Sequence, residues 1–194
     1  IVIERGSRVE KRTCDVQKFW ESGILNPKSN VQFGEGGAGT FSDGKLNTSV
    51  KDPSGRNRLV LETFVRFGAD PSILYDNKPH IGTDVLSEVI VNMREFLVDN
   101  GATFVFDTCV INLDIVSQKL LSVYTDSDSN SEIKTDVCVL ALGHSARDTF
   151  DMLYNKGFDM ECKSFAVGFR VEHPQRMIDE SQYGICLLYT SPSP

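Results

Sequence analysis

The chain of 194 residues carries 20 basic and 27 acidic side chains, a net charge of −7, and is long enough to bury a core in one domain or slightly more. That acidic balance argues against a nucleic-acid-binding platform and against an anionic membrane, and no apolar stretch approaches the roughly 20 residues that span a bilayer. Five scattered cysteines without C-x-x-C spacing and three distant histidines predict neither a disulfide framework nor a metal site.

The first part of the chain predicts a strand, a polar helix and a glycine-rich loop. Ile1–Glu4 predicts the end of a buried strand, and Val9–Glu21 predicts a polar helical segment. The segment Gly34–Lys45 holds five glycines in its first eleven residues. Glycine allows positive φ and lets backbone N–H groups lie against phosphate oxygens. An embedded aromatic residue and a terminal lysine favour such a ligand loop over a flexible linker.

Predicted helices lie on both sides of a constrained turn at Lys78–Gly82. Arg58–Phe67 predicts a helix ended by a glycine, and Asp70 predicts the N-cap of the next short helix. The clearest helix is Asp84–Asp99, with Thr83 or Asp84 as its cap. Its apolar side chains recur at helical spacing: Leu86, Val89, Ile90, Met93 and Leu97.

The second half predicts more strands and one further helix. Thr103–Phe106, Val110–Val116 and Leu120–Tyr124 predict short strands, the last two forming a hairpin. Asp136–Leu142 is a nearly continuous apolar run, which is typical of a parallel strand covered on both faces. It ends at Gly143, and a helix follows. This order predicts an α/β fold, a doubly wound and mostly parallel sheet with a small antiparallel meander inserted before the last strand.

Several residues at the carboxyl ends of these strands carry candidate chemistry, because ligands bind there in such sheets. Glu4 suits the hydroxyls of a ribose, although taken alone a solvated strand-end glutamate is the favoured interpretation. Gly143 either leaves room for a diphosphate or forms a turn before a helix. Arg5 and Lys45 suit phosphate or are solvated charges. Three candidate catalytic groups have a surface or packing role as the alternative: His80, His144 and Arg147.

Five segments are long and specific: Phe19–Pro27, Asn30–Leu46, Lys78–Asp84, Ala141–Phe150 and Val167–Gln175. Together they resemble the FAD-dependent dehydrogenase family, a group of NAD(P)/FAD oxidoreductases with two dinucleotide folds. The resemblance implies a Rossmann-like FAD-binding fold that is truncated at both ends.

The resemblance also implies roles for individual residues. Glu4 would bind the adenosine ribose, Val110 would offer its backbone to the adenine, and Gly143 would close a second flavin-contact motif. Arg5 and Lys45 complete the expected cofactor-binding set. The flavin diphosphate would be lined by Gly36, Gly37, Gly39 and Ser42.

The expected domains are a partial FAD-binding domain over 1–50, a helical insertion over 51–83, a return to the FAD-binding domain over 84–155, the start of a substrate or cap domain over 156–185, and a non-native tail over 186–194. The family's first strand and G-x-G-x-x-G motif would precede Ile1. The chain is therefore expected to be an internal fragment that holds FAD weakly.

The expected parent is an FAD-dependent oxidoreductase that transfers hydride between a small-molecule substrate and flavin, linked to NAD(P). The fragment itself is expected to be inactive. Two alternatives stay open: a non-catalytic FAD- or NAD-binding module, and a flavin-dependent enzyme that modifies RNA or tRNA. Scattered thiols predict a reducing, cytoplasmic location, or a plastid or mitochondrion if a targeting peptide precedes Ile1. The sequence carries no signal for the oligomeric state.

Overall fold

A computed structural model of the protein describes residues 1–41, 44–46, 52–76, 78–169 and 171–184. The chain is mixed α/β and divides into two compact units, Ile1–Phe158 and Asp159–Pro194. The strands are β1 (Val2–Ile3), β2 (Phe104–Val105), β3 (Val110–Val116), β4 (Lys119–Thr125) and β5 (Glu132–Lys134). The α-helices are α1 (Val9–Ser22), α2 (Arg56–Arg66), α3 (Thr83–Asp99), α4 (Arg147–Asn155) and α5 (Gln175–Tyr183). Two short 3₁₀ helices cover Ala38–Phe41 and Pro71–Leu74.

A small parallel sheet pairs the beginning of the chain with a strand about a hundred residues later. Val2 lies opposite Phe104 and Ile3 opposite Val105. The Val2 N–H donates to the Thr103 carbonyl at 2.8 Å, and the Glu4 N–H donates to the Val105 carbonyl at 2.9 Å. Glu4 therefore follows the carboxyl end of a parallel strand, as the sequence predicts. The prediction that this strand is buried is wrong, since Ile1 and Val2 are 72% and 42% exposed.

The predicted antiparallel meander is confirmed as a three-stranded sheet in the order β3-β4-β5. Its first hairpin turns at Ser117 and Gln118, which have φ values of 50° and 64°. A two-residue turn needs positive φ at both positions to match the twist of its strands. Leu113 and Val123 of this sheet form a buried cluster with Leu153 of α4. This cluster holds α4 against the meander.

A second buried cluster lies between α2, α3 and the turn after α2, and its members are Ala69, Ile73, Ile81, Leu86 and Val89. The predicted apolar stripe of α3 is confirmed for the buried Leu86 and Val89 and for Ile90 and Met93, which pack against the cluster. It is wrong for Leu97, which is 41% exposed near the end of the helix. Asp70 caps the short helix after α2, its Oδ1 accepting the Ser72 N–H at 2.7 Å. The predicted cap of α3 at Thr83 or Asp84 is wrong. Gly82 is the N-cap, without a side-chain hydrogen bond, because the helix begins one residue earlier.

The prediction of a buried parallel strand at 136–142 is wrong. This run forms no strand, and Val137 and Val139 are 71% and 85% exposed. A buried parallel strand needs a pairing neighbour and a packed layer on each face. In the described ranges β1 pairs with β2 alone, so no neighbouring strand accompanies the apolar run. The parallel part of the fold is therefore smaller than predicted.

The second unit is described by a run without regular structure followed by α5. No residue of α5 is buried. Phe165, Val167 and Phe169 are exposed, Phe169 by 94%. None of the helices in the described ranges has the length and apolar character needed to cross a membrane.

Candidate functional site

The candidate site is built around the described glycine loop, Gly34–Phe41, which lies next to the end of β1. The Glu4 carboxylate joins the two segments. Its Oε1 accepts hydrogen bonds from the Gly6 N–H at 2.8 Å and the Gly34 N–H at 3.0 Å. Its Oε2 accepts none from the residues that the structure describes. One carboxylate oxygen is thus fixed by backbone while the other is available to a ligand.

The glycines of this loop are there for two different physical reasons. A Cβ on Gly34 would lie 2.4 Å from the Arg12 Cδ, and one on Gly36 would lie 2.2 Å from the Thr40 Oγ1, so both positions need glycine for internal packing. A Cβ on Gly37 would meet nothing within 4 Å, but φ is +66°, which disfavours any side chain. Gly39 likewise faces open space.

Arg12 lies beneath the loop and is completely buried. Its guanidinium donates to the carbonyl oxygens of Asn30, Gly34, Glu35 and Gly37 at 2.6–3.2 Å. The same group stacks over the Phe41 ring at 4.8 Å. Its Nη2 has no hydrogen-bond partner in the described part of the chain. Burial lowers the pKa of Arg12 to about 10, which leaves it charged at neutral pH.

Glu35 ties the loop to two helices. Its Oε2 accepts the Val9 N–H, the first of α1, at 2.9 Å and the Arg94 Nη1 at 2.5 Å. Arg94 extends the network to Glu10, because the Arg94 Nη2 donates to the Glu10 Oε1 at 2.5 Å. Burial raises the pKa of Glu35, whereas the hydrogen bonds from Arg94 lower the pKa of Glu10. The buried Glu35 of the loop is therefore braced by the first N–H of α1 and by Arg94 of α3.

Arg12, Glu35 and Arg94 are absent from the residues predicted from the sequence. One signal was present for Arg12. Val9, Arg12 and Val16 are the buried positions of α1, so an arginine occupies the apolar stripe of an otherwise polar helix. An arginine in such a stripe indicates buried carbonyl partners, since a buried guanidinium without them is costly.

Arg5 is already paired with another side chain. Its Nη2 lies 2.7 and 2.8 Å from the two Asp148 carboxylate oxygens and 3.3 Å from the Thr149 Oγ1. It also lies over the Phe33 ring at 4.8 Å. Arg5 thus connects the end of β1 to the beginning of α4. Gly143 opens the turn before α4, and its carbonyl accepts the Ala146 N–H at 3.2 Å.

The remaining predicted residues fall in three places. Lys45 and His80 face each other across an isolated antiparallel bridge, which places their side chains on one side. Val110 packs against the meander core. His144 and Arg147 are exposed. Ser42 lies outside the described residues, as do the positions of the predicted tail from 186 onward.

Two clefts in the first unit are lined by residues outside the glycine loop. A groove of about 310 Å³ runs between α1 and α3 beside Val9 and Val91. A cleft of about 660 Å³ lies between the meander, the run at 136–140 and Phe158. In the described ranges no group of three or more His, Cys, Asp or Glu side chains is arranged to hold a metal ion.

No protein-family model matches this chain. The chain is similar to an uncharacterized protein of Clostridium beijerinckii, with 46% identity over 184 residues. The match covers 95% of this chain and 34% of that protein, so the chain spans about a third of the length of the relative.

Proposed function

We propose that this chain contributes part of an FAD-binding site to an FAD-dependent oxidoreductase. The observation that carries the proposal is the Glu4 carboxylate at the end of β1, with one oxygen fixed by the Gly6 and Gly34 N–H groups and the other available. A carboxylate at the end of a parallel strand suits the paired hydroxyls of a ribose. The glycine loop begins beside this carboxylate, since the Gly34 N–H donates to it, and under the proposal it would contact a diphosphate attached to that ribose.

The donor set of the loop fits a diphosphate. The exposed Gly36 N–H donates no hydrogen bond to the described residues, and a Cβ on the neighbouring Gly37 would meet nothing within 4 Å, so the surface of the loop is open there. Backbone N–H groups on consecutive turn residues form an anion-binding concavity. The buried Arg12 adds a positive charge on the opposite side of the same loop. When bound, FAD would supply the electron chemistry, while these residues would bind and orient it.

The proposal needs more of the protein than the described residues. A dinucleotide fold has a larger parallel sheet than the two strands seen here. The relative is about three times as long as the matched segment, so a protein of that length has room for further strands.

The test is FAD binding by the full-length protein that carries this sequence. We expect flavin absorbance in the purified protein, and FAD and ADP binding weakened roughly tenfold or more by Glu4→Gln, about the value of one charge-assisted hydrogen bond. Glu62→Gln is the matched control, since Glu62 is an exposed glutamate of α2 paired with Arg58. Full-length protein that binds neither FAD nor ADP would overturn the proposal.

A non-catalytic nucleotide-binding module is a second candidate. It is supported by the exposure of His80, His144 and Arg147, since catalytic side chains are usually fixed by packing and by hydrogen bonds from neighbouring residues. Reduction of the bound flavin by NADH or NADPH supports the oxidoreductase, whereas bound flavin that neither cofactor reduces supports the module.

A further inference from the structure

Arg12 supports an inference that rests on the proposed function and goes beyond it. We propose that Arg12 is the positioning residue of the phosphate site. It contacts no ligand itself, because it is completely buried beneath the loop. It holds two peptide groups so that the N–H groups of Gly36 and Ala38 face outward toward a phosphate.

The first peptide group joins Glu35 to Gly36. The Glu35 carbonyl accepts a hydrogen bond from the Arg12 Nη1 at 2.6 Å, so it points down into the buried guanidinium. The described chain has no cis peptide bond. In a trans peptide the C=O and N–H point in opposite directions. The Gly36 N–H must therefore point away from Arg12.

The second peptide group joins Gly37 to Ala38 and follows the same rule. The Gly37 carbonyl accepts from the Arg12 Nη1 at 2.8 Å, so the Ala38 N–H also points away from the guanidinium. Gly36 and Ala38 are both exposed. Neither N–H donates a hydrogen bond within the part of the chain that the structure describes. Two outward N–H groups with one residue between them suit the oxygens of one phosphate.

The guanidinium shape matters as well as the charge. Arg12 donates in several directions at once, from Nε to Asn30 and from Nη1 to three loop carbonyls. A lysine ammonium is a compact point charge and cannot reproduce this planar set of donors. Arg12→Lys is therefore expected to keep the charge and relax the orientation of the two peptides.

Ribose and phosphate recognition are thus assigned to different residues. Glu4 would recognise the ribose, and the two N–H groups set by Arg12 would recognise the phosphate. The affinity for a ligand with a diphosphate should therefore depend on Arg12, whereas the affinity for a nucleoside should not. General loss of folding would weaken both ligands together, so the ratio of their affinities isolates the positioning role.

The experiment measures ADP and adenosine binding by calorimetry for the full-length wild type and its Arg12→Lys variant. We expect ADP binding to weaken roughly tenfold, about one charge-assisted hydrogen bond, with adenosine binding unchanged within about twofold. Arg58→Lys is the matched control, because Arg58 is a helical arginine that also donates to a backbone carbonyl, that of Leu74, at 2.9 Å. It should leave both affinities unchanged.

The outcomes separate the two proposals. Wild-type protein that binds neither ligand overturns the proposed function and this inference with it. Wild-type protein that binds ADP, with an Arg12→Lys variant of unchanged ADP-to-adenosine ratio, overturns the positioning role and leaves the proposed function standing.

A second measurement needs no variant and covers the case in which Arg12→Lys does not fold. Amide resonances of the wild type are followed by NMR as ADP, pyrophosphate or adenosine is added. The Gly36 and Ala38 amides should shift with ADP and pyrophosphate and remain in place with adenosine. Shifts at Glu4 and Gly34 without any at Gly36 and Ala38 would contradict the assignment.

Discussion

Two glycine-containing segments of this chain differ in how they are held. The glycine loop, Gly34–Phe41, rests on the buried Arg12 and is braced by the buried Glu35. The turn that opens at Gly143 has an exposed glycine, an exposed His144 and an exposed Arg147, and follows an apolar run without a strand partner. The sequence predicts a ligand contact for each of the two segments. The two segments therefore differ in their buried charged partners, Arg12 and Glu35 at the glycine loop, and glycine content alone does not predict that difference.

The largest expected effect comes from removing the guanidinium. Arg12→Met leaves loop carbonyls without donors and removes a positive charge beside Glu4 and Glu35, although Glu35 keeps its contact with Arg94. It should lower the free energy of unfolding by about 3–5 kcal/mol. Arg147→Met, at the exposed beginning of α4, should change it by about 0.5 kcal/mol or less. Urea unfolding of the two variants measures the contrast. Equal effects would show that the two segments are held alike.

Valine truncation tests the apolar part of the comparison. Val89 of α3 is fully buried, whereas Val139 of the run before Gly143 is 85% exposed. Val89→Ala should therefore cost about 1–3 kcal/mol through lost burial and a residual cavity, and Val139→Ala about 0.5 kcal/mol or less. Urea unfolding again gives both values. A large cost at Val139 would mean that the run is packed in solution.

Replacing Gly37 or Gly143 by alanine tests how backbone conformation alone affects the free energy of unfolding. A Cβ would meet nothing within 4 Å at Gly37 or at Gly143, so packing is matched. Gly37 has a φ of +66°, whereas Gly143 is not among the described residues with positive φ. Gly37→Ala should cost about 1 kcal/mol, while Gly143→Ala should be neutral or stabilise by about 0.4–1 kcal/mol. The thermal unfolding midpoints of the two variants are compared, and the Gly37→Ala variant should unfold at the lower temperature. Equal midpoints would contradict the expected cost of positive φ at Gly37.

The smallest effect concerns pH. Hydrogen bonds from Arg94 lower the pKa of Glu10 below its ordinary 4.5, so the free energy of unfolding should fall as the pH drops below that value. Burial raises the pKa of Glu35, so its contribution has the opposite sign and declines as the pH rises from 4.5 through its raised pKa. Glu10→Gln should flatten the acid side of the profile, measured by urea unfolding. A profile identical to wild type would contradict the Arg94 contact.

Much of the local structure was predictable. The helix at Asp84–Asp99, the hairpin after Val110 and the cap at Asp70 were each predicted within about two residues, because their signals lie within a few positions of one another. The predicted strand at 136–142 failed because a parallel strand depends on neighbours far away in sequence. Glu4 was predicted at the carboxyl end of its strand, but its bonds to Gly6 and Gly34 were not.

The sequence by itself determined most helices, the first hairpin of the meander and the position of the glycine-rich segment, but not β5 or α5. Periodicity, caps and turn residues act over short distances, so they can be read along the chain. Only the tertiary structure decided that Arg12 would lie beneath the loop, that Glu35 would meet Arg94, and that Arg5 would pair with Asp148. These partners are 18 to 143 residues apart, and a buried charge is stable only where folding brings carbonyls or an opposite charge to it.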